Sequence, residues 1–364
     1  MALHPKYRRY FWQAFSFAVI WTIFGLVYVI VEKGLLGNST LYPATNNKYD
    51  FKSSIIYTPI VSFLMGFIQG WVEVAWMKKK FLNKPFWLKI VFKGAIYLIM
   101  IIIFLGVLTL LVNSFGYGLY PWDPEIVDTL IQFFTNFSFW SIVIYAGVVL
   151  DVALFFSEVR DYLGSGIFYN YSFGTYFKPK KEIRIFMFLD MKSSTSIAEK
   201  LGHEKYFNLI KAYYADMTDA ILETSGEIYQ YVGDEIVVSW PENKGLLQNN
   251  CIQCFIKINR SIKSRESFYK TVFGFVPEFK AGLHLGEVTT GEIGTLKKEI
   301  IYTGDVLNTA ARIQSLCNQY NARLLISEML KNRLVQGKHF RISEIGKITL
   351  RGRLTPLALF KVEL

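Results

Sequence analysis

Four apolar runs, each about as long as a bilayer requires, crowd the first 160 residues and constrain this part of the chain more than any other feature. They lie at Phe11–Val31, Ile55–Trp76, Ile90–Val112 and Leu130–Phe156. Glu73, Lys93 and Asp151 interrupt them, each within a turn or two of an end. Runs with so little charge read as membrane-spanning helices, not as core helices of a soluble domain. The first is too long for a cleaved signal peptide and lacks a small-residue cleavage site.

Loop charges then predict the orientation. Lys6, Arg8 and Arg9 precede the first run, and Lys78, Lys79, Lys80, Lys84 and Lys89 fill the second loop. The third loop, NSFGYGLYPWDPEIVD, has no Lys or Arg. Both termini are therefore expected inside, with a multi-pass protein in the cell (inner) membrane and residues after 157 in the cytoplasm. The net charge of +11 includes no block of like charge that suggests a nucleic-acid stripe, and a basic membrane-facing rim explains the first half as well, so no nucleic-acid partner is expected. Cys251, Cys254 and Cys317 make no disulfide framework, and CIQCFIKI reads as core helix.

The expected domains are a membrane domain at 1–156, a juxtamembrane connector at 157–182 and a catalytic domain at 183–364. The connector mixes aromatics with Gly164, Gly166 and Gly174 and shows no heptad pattern. Beyond it the pattern alternates. A strand is predicted at Ile185–Leu189 and a helix over Thr195–Glu223. EIYQYVGDEIVVSW reads as a hairpin around Gly233-Asp234. A helix over Lys244–Arg265, strands at Phe279–Leu285 and near Ile300–Tyr302, and a helix over Val306–Asn318 follow. Strands near Phe340–Ile345, Ile348–Leu350 and Leu357–Val362 close the domain. The hairpin argues for a mixed, ferredoxin-like α+β sheet over a doubly wound parallel one.

Two carboxylates stand out. Asp190 ends the apolar run IFMFL, and Asp234 tips the hairpin. Either alone is ordinary turn chemistry. If their strands are neighbours, two like charges meet at one sheet edge and call for a cation. Mg²⁺ suits oxygen ligands of this kind together with substrate phosphates, and the backbone carbonyl of Met191 is a further ligand candidate. Asn308 and Arg312, spaced i and i+4, share a helix face where an amide and a guanidinium can grip a sugar oxygen and a phosphate charge.

In order, FLDMKSST, YVGDEIV, GLHLGEVTTGEIG and GDVLNTAAR resemble the class III nucleotidyl cyclases over about Ile183–Leu364. The resemblance implies a head-to-tail homodimer with composite sites and two Mg²⁺ or Mn²⁺ ions per site. Asp190, Met191 and Asp234 would hold metal, Asn308 would orient the ribose and Arg312 would stabilise the transition state. Arg351 or Arg353 would meet the triphosphate. The implied reaction converts ATP to 3′,5′-cyclic AMP and pyrophosphate. The base-reading positions depart from the family: Gln230 stands where Lys or Glu is usual, and Ile301 where Asp or Thr is common. A glutamine amide both donates and accepts, so it does not select a purine. ATP is expected over GTP as the commoner family substrate. The alternatives are a guanylate cyclase and a catalytically silent nucleotide-binding receptor domain. A diguanylate-type synthase fits less well, because VGDEI only partly echoes GGDEF.

Overall fold

The computed structural model describes residues 5–42, 48–81, 84–335, 340–349 and 355–363. The chain forms two compact units, one covering Tyr7–Phe168 and the other containing Tyr169–Leu364.

The first unit is helical: α1 (Pro5–Leu36), α2 (Phe51–Val72), a π-helical turn at Glu73–Met77, α3 (Lys78–Lys80), α4 (Phe86–Tyr117), α5 (Pro124–Thr135) and α6 (Phe137–Leu163). Four of its helices, Tyr10–Leu36, Phe51–Met77, Phe86–Tyr117 and Phe137–Leu163, are long and apolar enough to cross a bilayer. Asp50 starts α2 by accepting from the Ser53 amide at 3.0 Å. Gly66 and Gly70 then let α2 lie against α1: a Cβ at Gly70 would stand 2.7 Å from the Ala14 carbonyl oxygen, and one at Gly66 2.8 Å from that of Phe17. Close backbone approach of this kind lets helices associate by packing without a hydrophobic drive, as membrane-spanning helices must. Phe17, Trp21, Met65, Tyr97, Leu150 and Leu154 fill the space between the helices. The fourth apolar run differs from expectation. Asn136 leaves the helical region and caps α6 by accepting from the Ser138 amide, so Leu130–Thr135 belongs to α5 and α6 runs on past Phe156.

After α7 (Ser165–Ser172) comes the mixed α+β unit. Its elements are β1 (Lys180–Met191), α8 (Ser194–Leu201), α9 (His203–Glu223), β2 (Glu227–Val232), β3 (Glu235–Pro241), α10 (Glu242–Leu246), α11 (Asn250–Ser264), α12 (Glu266–Phe273), β4 (Phe279–Ile293), β5 (Glu299–Thr303), α13 (Asp305–Ser315), β6 (Leu324–Ser327), α14 (Glu328–Lys331), β7 (Arg341–Ile348) and β8 (Leu357–Glu363). The sheet order is β2-β3-β1-β4-β6-β8-β7, with β5 pairing β4. Within it β4 and β6 are parallel and the other pairs antiparallel, as a mixed sheet requires.

Period-two alternation sorts β1 onto two faces. Ile185, Met187, Leu189 and Met191 pack with Tyr213 of α9 and Phe255 of α11. Phe186 and Phe188 point the other way, with Val306 and Ala310 of α13. Cys251 and Cys254 are buried in α11, as core. The helix expected over Thr195–Glu223 breaks at Gly202, whose φ of 74° no continuing helix permits. The one expected over Lys244–Arg265 kinks where Gln248 and Asn249 take φ of 51° and 57°. Of the strand expected near Ile348–Leu350, Ile348 ends β7 opposite Leu357, and Leu350 lies outside the described residues.

Candidate active site

β1 is sandwiched between β3 and β4 in register, Leu189 opposite Ile236 and Asp190 opposite Lys280. Asp190 therefore emerges at the end of a central strand, and the β2–β3 hairpin carries Asp234 beside it. Tyr214 of α9 fixes the hairpin tip: its hydroxyl lies 2.8 Å from the Gly233 carbonyl oxygen and 3.0 Å from that of Glu235, within hydrogen-bond reach of both. The ring of Tyr214 also packs on Tyr231, with centroids 4.5 Å apart.

The second face of the sheet supplies the remaining contacts. Gln314 of α13 donates to Asp190 Oδ2 at 3.1 Å, and Lys280 Nζ stands 3.7 Å from the same oxygen. Gly282 permits this geometry, because a Cβ there would meet the Gln314 amide nitrogen at 2.2 Å and the Ala310 carbonyl oxygen at 2.7 Å. The helix thus lies with its backbone directly on β4.

The electrostatics are those of an under-compensated acidic pair. Burial, then the hydrogen bond and the charge of Asp234, push the Asp190 carboxyl up to about 6, against the opposing pull of Lys280 and Gln314. Burial, with Asp190 and Asp234 nearby, likewise pushes Glu235 up to about 6. Asp234 Oδ2 is buried and has no hydrogen-bond partner. A buried carboxylate oxygen left unpaired is costly, and a cation is the partner that satisfies it. Among the described residues no group of three or more His, Cys, Asp or Glu could hold a metal. A two-carboxylate site open to substrate oxygens fits Mg²⁺ better than a closed protein cage.

The structure thus brings Asp190 and Asp234 together. Met191 is the next residue of β1, its side chain buried. Asn308 and Arg312 lie on α13 with Gln314, Asn308 exposed and Arg312 partly buried. Neither has a hydrogen bond or ion pair to the two aspartates within this chain. Gln230 is exposed at a β-bulge of β2, and Ile301 is half-buried in β5. Their neighbours Tyr229 and Tyr302 meet edge to face, centroids 5.0 Å apart, and so hold β2 close to β5. Arg351 and Arg353 lie outside the described residues. Sequence reasoning missed Gln314, Lys280 and Tyr214. Strand register would have found Lys280; the other two depend on how helices lie on the sheet.

Comparison with known proteins agrees with this architecture. The sequence model of the adenylate and guanylate cyclase catalytic domain matches residues 175–362. Adenylate cyclase 2 of Rhizobium meliloti (strain 1021) is 34% identical over 222 residues, 61% of this chain and 61% of that protein. The terminal-differentiation-specific adenylate cyclase of Dictyostelium discoideum is 27% identical over 188 residues, 50% of this chain and 9% of that one. The chain therefore spans less than two thirds of either relative. The solved structure of a bacterial light-regulated adenylyl cyclase shares the fold, with a TM-score of 0.51 at 20% identity over 60% of this chain and 64% of that chain.

Proposed function

The chain belongs to the adenylate and guanylate cyclase catalytic-domain family, and on that footing we propose that it is a membrane-bound adenylate cyclase, converting ATP to 3′,5′-cyclic AMP and pyrophosphate. The observation that carries the proposal is the unpartnered, buried Asp234 Oδ2 beside an Asp190 whose carboxyl is held well above its usual range. Two carboxylates so placed would hold two divalent cations, Mg²⁺ or Mn²⁺, with the Met191 carbonyl as a further ligand. Bound there, the ions would neutralise the triphosphate and favour the 3′-oxygen of the ribose as a nucleophile.

The protein's own part is positioning and charge. Lys280 and Gln314 hold Asp190 in one orientation, and Tyr214 holds the turn of Asp234. Asn308 would fix the ribose and Arg312 would meet charge developing on the phosphate. Neither reaches Asp190 or Asp234 within one chain, which supports a homodimer whose sites combine the aspartates of one protomer with the α13 pair of the other. Arg351 or Arg353 would bind the triphosphate. ATP is preferred to GTP because the similar Rhizobium and Dictyostelium proteins are adenylate cyclases. Gln230 and Ile301 supply no purine-specific pattern of their own. The catalytic unit and both termini lie on the cytoplasmic side, where the nucleotide is.

The deciding experiment incubates purified full-length protein with ATP or GTP and Mg²⁺ or Mn²⁺ and identifies the product by mass. Cyclic AMP is expected. Cyclic GMP alone would make it a guanylate cyclase, and no cyclic nucleotide from either would make it a binding domain.

A further inference from the structure

The helical unit contains a cluster of ionisable side chains that cyclase chemistry does not use. At the π-helical turn after α2, Glu73 is fully buried. Lys93 of α4 donates to Glu73 Oε1 at 2.5 Å and to Glu158 Oε1 of α6 at 2.7 Å. Tyr97 donates to Glu73 Oε2 at 2.7 Å. Ionisable groups buried among apolar helices are expensive, and π-helical turns recur at functional sites.

Lys93 and Glu158 of this cluster line a cavity of about 290 Å³. Lys89 stands on its wall, 3.4 Å from Glu158 Oε2 and over the Tyr162 ring at 5.3 Å. Lys78 also lines it, paired with Asp161 at 2.7 Å. Lys84 lines the cavity too, exposed and without an ion pair among the described residues. Four lysines therefore line the cavity with two carboxylates, Glu158 and Asp161; Glu73, behind the wall, pairs with Lys93, and one positive charge is left over.

One uncompensated cation in a part-enclosed cavity is matched by one monoanion, and a phosphodiester carries that charge. A phospholipid headgroup and a soluble phosphate ester share this chemistry. The rim favours the lipid. Phe86 packs against Tyr162 and Phe155, centroids 5.8 and 6.4 Å apart, and Phe155 and Trp87 are exposed. An acyl chain leaving the cavity would meet that apolar surface. Basic pockets between helix ends are suited to anionic headgroups for the same reasons. We propose that this cavity binds the phosphate of an anionic phospholipid, held by Lys84 and Lys89.

The test uses the full chain in detergent and native mass spectrometry, with phosphatidylglycerol, phosphatidylcholine or glycerol 3-phosphate added. The expected result is retention of phosphatidylglycerol over phosphatidylcholine. Lys84→Gln should weaken that retention about fivefold, since a nearby lysine is worth about 1 kcal/mol to an anionic lipid. Lys84 makes none of the buried ion pairs, so its loss leaves the cluster intact. Lys80→Gln is the control: it removes an exposed lysine of the same segment that lies over Trp76 at 4.7 Å and does not line the cavity. It should change nothing. Equal weakening by both variants, equal retention of the two lipids, or retention of neither would overturn the site. Retention of glycerol 3-phosphate in preference to phosphatidylglycerol would overturn the lipid assignment.

Discussion

Gln314 donates to Asp190 at 3.1 Å across 124 residues of chain, tying α13 to the end of β1. The bond favours the charged form of a carboxyl that burial and Asp234 otherwise drive toward the neutral one. One amide therefore joins the helix of Asn308 and Arg312 to the metal-ligand candidate. Gln314→Leu should leave an expressed, folded protein that needs more Mg²⁺ for half-maximal activity. An unchanged metal requirement would reduce the bond to simple packing.

Asp190 also sets a conflict between stability and activity. Its folded carboxyl is raised to about 6 from an ordinary 3.8. The folded state thus binds a proton more tightly than the unfolded one, so stability falls as pH rises from about 4 through about 6 and stays lower above. Asp190→Asn should abolish cyclase activity, by about 10²–10³-fold or more. The same variant should be more stable than the parent above pH 6 without metal, by on the order of 1 kcal/mol, and melt higher. Melting followed at pH 5 and pH 7.5 checks the sign, since the gain should shrink at the lower pH.

The two aspartates were legible in the sequence because their signals are local. An apolar run ending in Asp190 and a Gly-Asp hairpin at 233–234 each announce themselves, and strand pairing brings them together. Lys280 was not legible, since nothing short of the β1–β4 register sets it opposite Asp190. Gln314 required knowing that α13 lies on Gly282, a glycine that in sequence is only one of several in a rich segment. The kink at Gln248 and Asn249 left no signal either, because neither residue demands a left-handed conformation. Helix boundaries set by a glycine break or an Asn cap, as at Gly202 and Asn136, lay within otherwise continuous apolar patterns.

Gly282→Ala tests the seat of α13 directly. The added methyl would stand 2.2 Å from the Gln314 amide nitrogen, which is backbone and cannot swing away. The helix must lift, at a cost of about 1–3 kcal/mol. Activity should fall much further than stability, because Asn308, Arg312 and Gln314 all move with it. A fully active Gly282→Ala protein would show that the placement of α13 does not govern the chemistry.

Composite sites make a different kind of prediction. If the aspartates and the α13 pair act across a homodimer, Asp234→Ala and Arg312→Ala proteins should each be inactive alone. Mixed under conditions where subunits exchange, they should regain activity, since a heterodimer holds one intact site. Exchange demonstrated by differential tagging without recovered activity would count against the shared site.

Orientation is the last prediction, and it rests on charge. Lys78, Lys80, Lys84 and Lys89 cluster around the α2–α4 connection, whereas the α4–α5 connection with Trp122 has no basic residue. Lysines are retained on the cytoplasmic side, so the first connection should face inward and the second outward. Four crossings would return the residues after α6 to the side of the N-terminus, the side on which the proposed reaction needs ATP. A cysteine introduced at Trp122 should react with a membrane-impermeant thiol reagent in intact cells, and one introduced at Lys80 should react only after the membrane is opened. The three native cysteines are buried, so they leave a low background. The reverse labelling pattern would place the catalytic unit away from its nucleotide and would refute both the topology and the assignment that depends on it.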